Sequence, residues 1–541
     1  MLIGYVSDER YVAVADVMFE FENDDGTIVE IRSSITGAVR AELKPGRWTV
    51  AFGKEGYGAK RVTLDLPLDE PNSFRLLRDQ LLGYMWPKWV RGGEQAEFRV
   101  HSDEAFGLEL WRYGWEKERV GPIGWYDEHG PRATVQITPD GDYTQTGVRF
   151  NSQGYARKAH KQFVTAPERS GLYYLHAKGE SGAFFSFPWI VAPAKPQAKL
   201  AVLAANINWN CYNNFGGRSN YIHADQFAPT PTMNARLELS RYTDPDHASF
   251  AADAYAPLSF DRPEPLNHID EHERITDPIE GRSNCHVAPA EWRFFGWLER
   301  EGFEYDLYAE TQLHDGTLDL DAYDALAVSA HPEYWSAKMY FALKEWVFER
   351  GGNLAYLGGN GLNCEVEFTD DSTIVVHNGP YGGGFFHLQK LGYESRLDLR
   401  HESEANLLGV VCSETGLMTG APYRTVEPDH WIFDGTGLQK GDLFGENCLH
   451  MRCPGGASGH ETDKISASSP ANAKLLAKGL NPDDGGAEIV CFGVPGGGHV
   501  FSVGSISWPA ALPVDAHVSQ ITRNVLQRFL DWPESRSDNL E

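Results

Sequence analysis

The sequence predicts a multidomain protein: two N-terminal β-sandwich modules followed by an α/β domain built on a mostly parallel sheet. Three observations predict it. Residues 1–78 alternate apolar and polar positions in short runs, and residues 80–195 continue in β-rich runs. Beyond the linker "APAKPQAK" (192–199), continuous apolar runs alternate with segments of helical spacing. Period-2 alternation marks half-buried strands, whereas strand–helix–strand alternation marks a parallel sheet covered on both faces. At 541 residues the chain is also too long for one core, since single cores stop growing near ~250–300 residues.

The first module, 1–79, is read from "VADVMFEFEN", "TIVEIRSS", "GRWTVAFGKEGY" and "KRVTLDL". The turn residues Asp24-Asp25-Gly26 and Lys44-Pro45-Gly46 separate these runs as hairpin punctuation. The string "TGAVRAELKPGRWTVAFGKEGY" resembles the transthyretin-like accessory modules attached to carboxypeptidases and other enzymes. The second module, 80–195, carries "QAEFRVHS", "FGLELWRYG", "GLYYLHAKG" and "FSFPWIVAP" and reads as Ig-like.

The third part, 196–541, opens on "LAVLAANINW", a nearly continuous apolar run suited to a strand buried on both faces. "PAEWRFFGWLEREG" has helical spacing and stops at Gly302. "FEYDLYAE" and "LDAYDALAVSA" read as strands, "SAKMYFALKEWVFERGG" as a helix capped by Ser336 and ended by Gly351, and "NLAYLGGNG" as a further strand. "AEIVCFGVPGGGHVFSVGS" reads as an antiparallel hairpin and "DAHVSQITRNVLQRFLDW" as a closing helix. Residues 370–480, rich in Gly and short strands, are expected to cover the sheet or form a subunit contact.

Composition narrows the partners. The formal net charge is -28, from 76 acidic against 48 basic residues. Such a surface repels phosphate backbones and anionic lipid, so neither nucleic acid nor a membrane surface is expected as a partner. The N-terminus shows no basic-then-apolar leader pattern, and no window reaches the ~20 apolar residues of a membrane helix. Seven cysteines spread over positions 211 to 491 do not form a disulfide framework, so a cytoplasmic location is expected.

Ligands of open α/β sheets collect beyond the carboxyl ends of the strands. Three such ends carry polar groups: "ANINWNCYNNFGGRSNY" (205–221), His331-Pro332-Glu333-Tyr334-Trp335, and Gly358-Gly359-Asn360-Gly361. A carboxylate wedged between Pro332 and two aromatics loses hydration, which is costly without a cation partner. Asn360 is placed to turn its amide toward the same crevice.

The strings "HPEYWS" (331–336), "NWNCYNNFGGRSNY" (208–221), "APLSFDRP" (256–263) and "GGGHVFSVGSISW" (496–508) together resemble the large subunit of N,N-dimethylformamidase and its relatives, over about residues 200–535. The resemblance implies a glutamine amidotransferase-like α/β architecture, one mononuclear non-haem Fe3+ held by two tyrosines and a glutamate, and hydrolysis of a small amide. Carried onto this chain, the metal ligands are Tyr212, Tyr255 and Glu333, with Tyr221 and Tyr334 as alternatives to Tyr255. The catalytic residues are His331, Glu333 and Asn360. It also implies a homo-oligomer and a possible separate small subunit. The chain departs from the family in its compact transthyretin-like start and in Pro332, where relatives often carry an acidic residue.

That ligand set is chemically coherent. Phenolates and carboxylates are hard anionic oxygen donors suited to a trivalent cation rather than to zinc. His331, two residues from Glu333, is placed to take a proton from water and return it to a departing amine. Trp209, Phe215 and Trp335 are expected to form an apolar wall for N-substituents.

Weaker signals fall to structural readings. His268 and His272, spaced four apart in "NHIDEHE", lack HExxH order, and "CLHMRC" (448–453) lacks a second cysteine pair. Neither Gly-rich turn precedes a Lys-Ser/Thr phosphate loop. Two competing functions stay open: a non-catalytic binding protein with a relic α/β domain, and a thiol-dependent amide hydrolase using Cys211 or Cys364.

Overall fold

The computed structural model describes residues 1–9, 12–57, 59–78, 80–102, 104–126, 162–213, 215, 219–220, 257–279, 285–378 and 385–530. The chain is multidomain and rich in sheet. Its N-terminal part pairs Ala38–Arg40, Leu2–Ser7 and Asn72–Arg75 in one sheet. A second sheet runs Ile28–Arg32, Met18–Asn23, Gly46–Gly53, Ala59–Leu66. Alternation decides which side chains turn inward. Phe19 and Phe21 lie opposite Phe52 and Val50 across the second sheet. Phe19 stacks on Phe52 at 5.0 Å and meets Phe74 of the other sheet edge-on at 4.9 Å, closing a shared core. Such aromatic pairs add ~0.5–1.5 kcal/mol each beyond burial.

The described strands from Leu82–Trp86 to Phe184–Ala192 form a three-stranded sheet and a five-stranded sheet. The Gly171–Gly179 strand is buried on both sides, because its alternate residues serve two cores. Tyr173, Leu175 and Ala177 face the core of this β unit, while Leu172 and Tyr174 join the core beneath the C-terminal part. The second β unit therefore packs continuously onto the C-terminal part.

That part is organised by a nine-stranded sheet in the order Asp306–Ala309, Leu200–Ala204, Ala325–Ala330, Asn353–Gly358, His499–Ser502, Glu488–Gly493, Lys474–Gly479, Tyr423–Thr425, Leu443–Phe444. The first four neighbouring pairs run parallel. The last four run antiparallel. The sheet is thus evenly mixed rather than mostly parallel, and the 370–480 stretch supplies its far edge instead of merely covering it. Helices lie on both faces. Leu200, Val202 and Ala204 share a core with the Ala288–Arg300 and Ala516–Leu530 helices, whereas Ala201 and Leu203 share one with Ala337–Phe348. Ser336 accepts from Met339 N and caps that last helix, a contact worth ~1 kcal/mol. The "FEYDLYAE" strand stops at Ala309, and Glu310 begins a short helix, Glu310–Asp315. Among the described residues no helix is long and apolar enough to cross a membrane.

Candidate metal centre

Three strand ends build the site. Leu200–Ala204 leads into the Asn206–Tyr212 helix, whose last residue is Tyr212. Ala325–Ala330 runs directly into His331, and Asn353–Gly358 into Gly359 and Asn360.

The Asn206–Tyr212 helix has only seven residues, too few to hold itself in water. It is fixed from outside by the "APLSFDRP" segment. Arg262, fully buried, donates Nη2 to the Asn210 carbonyl at 2.9 Å and to Asn210 Oδ1 at 2.8 Å, and Nη1 to the Phe215 carbonyl at 2.8 Å. Asn213 Nδ2 donates to the Pro263 carbonyl at 2.8 Å. A cation on the orphan carbonyls of a helix C-terminus also favours the helix dipole.

The other two strand ends close on each other through glycines. Ala330 pairs with Gly358, and a Cβ at Gly358 would lie 2.6 Å from the Ala330 carbonyl oxygen. A Cβ at Gly359 would lie 2.5 Å from the Glu461 carbonyl oxygen. Ala330 and Asn360 take left-handed backbone, φ 57° and 48°, a conformation that costs non-glycine residues ~1–3 kcal/mol and concentrates at functional sites. These bends aim His331 and Asn360 into one crevice.

Inside it, the Tyr212 hydroxyl donates to Glu333 Oε2 at 2.8 Å and lies 3.0 Å from His331 Nε2. His331 Nε2 is 3.0 Å from the same Glu333 oxygen. His331 Nδ1 is 2.9 Å from the Gly359 carbonyl, which fixes the proton on Nδ1 and turns Nε2 toward the site. Glu461 Oε2 lies 3.7 Å from His331 Nε2 and accepts from Asn360 Nδ2 at 2.8 Å. Arg396 Nη1 stands 3.6 Å from Glu333 Oε1. Asn360 N donates to Asp463 Oδ1 at 2.7 Å, while Asn360 Oδ1 is buried without a partner among the described residues.

Burial pushes the His331 imidazole down, but the Glu333 hydrogen bond and the Glu461 charge outweigh it and raise the group to about 9. Burial pushes Glu333 up, yet His331, Arg396 and Tyr212 together hold it below the usual carboxylate range. The result is a buried imidazolium–carboxylate pair, flanked by Arg396 on the carboxylate side and Glu461 on the imidazolium side. Further imidazoles back the site. His286 meets Tyr212 edge-on at 4.3 Å and His331 at 5.6 Å, followed by His460, whose Nδ1 is 3.3 Å from His450 Nε2. Burial lowers His450 to about 3 and His460 well below its ordinary value.

Of the residues the sequence singles out, Tyr212, His331 and Glu333 converge directly, and Asn360 joins through Glu461. Tyr255 and Tyr221 lie outside the described residues. The Tyr334 hydroxyl accepts from Asn220 Nδ2 at 2.8 Å. The expected apolar wall is not built as foreseen: Trp209, Phe215 and Trp335 sit in three different cores at 2%, 1% and 0% exposure. His268 lies beyond the Pro265–Asn267 turn and accepts from Ser186 N at 3.0 Å, so it shares no helix face with His272. Cys211 and Cys364 are buried thiols, the first pushed well up and the second to about 12, which removes the thiolate that a nucleophile needs. Sequence reading missed Glu461, Arg396 and Arg262, because an isolated charge carries no signal of what it will face.

Among the described residues no group of three or more His, Cys, Asp or Glu could hold a metal ion. Tyr212 and Glu333 supply two oxygen donors at mutual hydrogen-bond distance, and the orphaned Asn360 Oδ1 lies on the adjoining turn. This donor set fits a hard cation such as the ferric ion that the resemblance implies. A cavity of about 770 Å³ lies elsewhere, among Trp86, Trp89, Phe260, His314 and Phe368, and includes none of these site residues.

Residues 112–522 match the family described as "N,N-dimethylformamidase beta subunit-like, C-terminal", and the chain belongs to that family. It is 27% identical over 432 residues to the N,N-dimethylformamidase beta subunit of Paracoccus aminophilus, covering 68% of this chain and 53% of that protein. It is 28% identical over 301 residues to the N,N-dimethylformamidase beta subunit of an Alcaligenes species, covering 48% and 39%. The chain thus spans about half the length, or less, of these curated relatives. Among solved structures, the major pilin subunit of Bacillus cereus aligns over 37% of this chain and 71% of its own, at 11% identity and a TM-score of 0.13, too low to bear on the fold.

Proposed function

We propose that this member of the N,N-dimethylformamidase beta subunit-like family hydrolyses the C–N bond of a small N-substituted amide. In this reading Tyr212, Glu333 and Tyr255 hold one ferric ion. The observation that carries the reading is the meeting of Tyr212 and Glu333 at 2.8 Å, with His331 Nε2 3.0 Å from both oxygens.

Ferric ion bound there supplies Lewis-acid polarisation of the amide carbonyl and acidifies water. The chain's own residues do the rest. His331, its Nδ1 anchored on Gly359, is held as an imidazolium by Glu333 and Glu461 in the metal-free site. With Glu333 engaged by the ion, that hold would weaken, Nε2 would shed its proton, and the neutral imidazole would take one from water and return it to the departing amine. Glu461, held by Asn360, stabilises the imidazolium. Asn360 Oδ1 is free to accept from the attacking water or from a substrate N–H. His331, with Arg396 and Tyr212 beside it, keeps Glu333 ionised.

The finer assignments belong to the same proposal: division at 1–79, 80–195 and 196–541, an amidotransferase-like α/β domain, a cytoplasmic homo-oligomer, and a separate small subunit. Support for the last is that the relatives are named as beta subunits. Among the described residues none of the seven cysteines is disulfide-bonded, which favours a reducing compartment.

The test is purification with iron supplied, followed by metal analysis, a visible spectrum and a hydrolysis screen over formamides, N-alkyl amides, anilides and ureas with iron added and removed. Stoichiometric iron, a visible phenolate-to-iron absorption band and iron-dependent amine release are expected. Colourless, iron-free protein that hydrolyses none of the panel overturns the reading.

A further inference from the structure

Two buried carboxylates hold the segments that carry Tyr212 and Glu333, and the chemistry proposed above uses neither. Glu291, in the Ala288–Arg300 helix, and Glu310, the first residue of Glu310–Asp315, are both 0% exposed. A carboxylate taken out of water is expensive unless donors replace its hydration. Glu291 Oε2 accepts from Ala205 N at 3.0 Å and Oε1 from the Trp209 indole at 2.8 Å. Glu310 Oε2 accepts from Ile207 N at 3.3 Å and Oε1 from the Trp335 indole at 2.8 Å.

The backbone donors are the first N–H groups of the Tyr212 helix, which the N-cap residue Ala205 has no side chain to satisfy. A single Ser or Asn would cap that helix for ~1 kcal/mol. Two buried carboxylates take that role instead, with burial and the Glu291 charge both pushing the Glu310 carboxyl well up. Glu310 differs from a cap in one respect: its two oxygens reach two different segments. Oε2 holds the Tyr212 helix, and Oε1 holds the indole two residues beyond Glu333.

We propose that Glu310 is a positioning residue which sets the Tyr212–Glu333 separation by tying Ile207 N–H to the Trp335 indole N–H. Glu291 fixes the same helix end through Ala205 and Trp209, so that the helix cannot pivot about the Glu310 contact. The inference rests on the reading of Tyr212 and Glu333 as donors to one ion, but its test needs no ion.

Both partners of Glu310 are N–H donors, so Glu310→Gln must set its NH2 against one of them and break one tie at unchanged volume. Trp335→Phe removes the other tie directly. Crystal structures of the metal-free full chain and both variants, with melting curves to establish folding, give the answer. The Tyr212 Oη to Glu333 Oε2 distance, 2.8 Å here, is expected to lengthen by more than ~0.5 Å in each folded variant, the tolerance within which functional groups must be held. A smaller change in a folded variant overturns the proposal, and if Glu310→Gln does not fold, Trp335→Phe decides. Ferric affinity in the variants is expected to fall about tenfold, a difference of ~1.4 kcal/mol. Wild-type protein that takes up no iron sinks the functional reading and leaves the distance to judge Glu310.

Discussion

Tyr212 and Glu333, 121 positions apart in sequence, share a hydrogen bond of 2.8 Å at the carboxyl edge of the nine-stranded sheet. Neither residue is placed by its own element alone. The phenol depends on a seven-residue helix stapled by Arg262, and the carboxylate on a bend that only glycines opposite it allow.

The first prediction concerns that pair. Tyr212→Phe keeps the ring against His286 and removes one oxygen donor; Glu333→Gln removes a charge. Each variant is expected to lose bound iron and the visible band, with ferric affinity down ~100-fold or more, a loss of ~2.7 kcal/mol. Metal analysis and absorbance on the folded variants check it. Retention of iron by both variants removes the ligand assignment.

His331 should separate chemistry from metal binding. In His331→Gln, iron content is expected to hold while amide hydrolysis falls ~10²–10⁴-fold, the usual contribution of a general base. Stability should drop as well, because Glu333 then loses the imidazolium beside it, while Arg396 stands farther off at 3.6 Å. Single-turnover kinetics beside a urea titration distinguish the two losses.

Asp463 makes stability depend on pH. Burial raises its carboxyl to about 7, against the Asn360 N–H and Tyr356 hydroxyl bonds that pull it back. An unfolded Asp titrates near ~3.9, so between ~4 and 7 the folded state keeps a proton that the unfolded state releases. Stability from this group is therefore full below pH ~4, falls as pH rises through that window, and is flat above it. Asp463→Asn should flatten the profile, and its stability relative to wild type should rise by a few kcal/mol from pH 4 to 7.5 at ~1.4 kcal/mol per unit. Urea unfolding at both pH values measures it; parallel profiles would refute the assignment.

Gly358→Ala tests the close approach of the two strand ends. Its Cβ would meet the Ala330 carbonyl oxygen at 2.6 Å and Pro332 Cδ at 3.2 Å. Overpacking of this kind costs ~1–3 kcal/mol, and the displaced Ala330 carries His331 with it. A lowered melting temperature is expected together with a longer His331–Glu333 distance. An unchanged melting temperature would show that the strands can part without strain.

Parts of the site were legible because physical chemistry leaves marks in sequence. An apolar strand that breaks into His331-Pro332-Glu333 reads as a strand end bearing costly polar groups, and it is one. Ser336 reads as a cap and accepts from Met339 N. Glu461, Arg396, Arg262 and Glu310 left no such mark, since each matters only through a side chain that another segment brings to it. The aromatic wall failed for the same reason: Trp209, Phe215 and Trp335 satisfy three separate cores, and periodicity does not say which core a large ring will enter.

By itself the sequence determined the local grammar: which runs are strands, where helices start and stop, and which strand ends carry chemistry. Those features come from burial, capping and backbone preference, which act over a few residues. Only the tertiary structure decided that the sheet is half antiparallel, that Arg262 and Glu310 hold the Tyr212 helix, and that Tyr212, His331 and Glu333 share one hydrogen-bonded cluster. Those outcomes depend on desolvation, charge and pairing between groups on separate segments, and such energies exist only once the chain has closed around them.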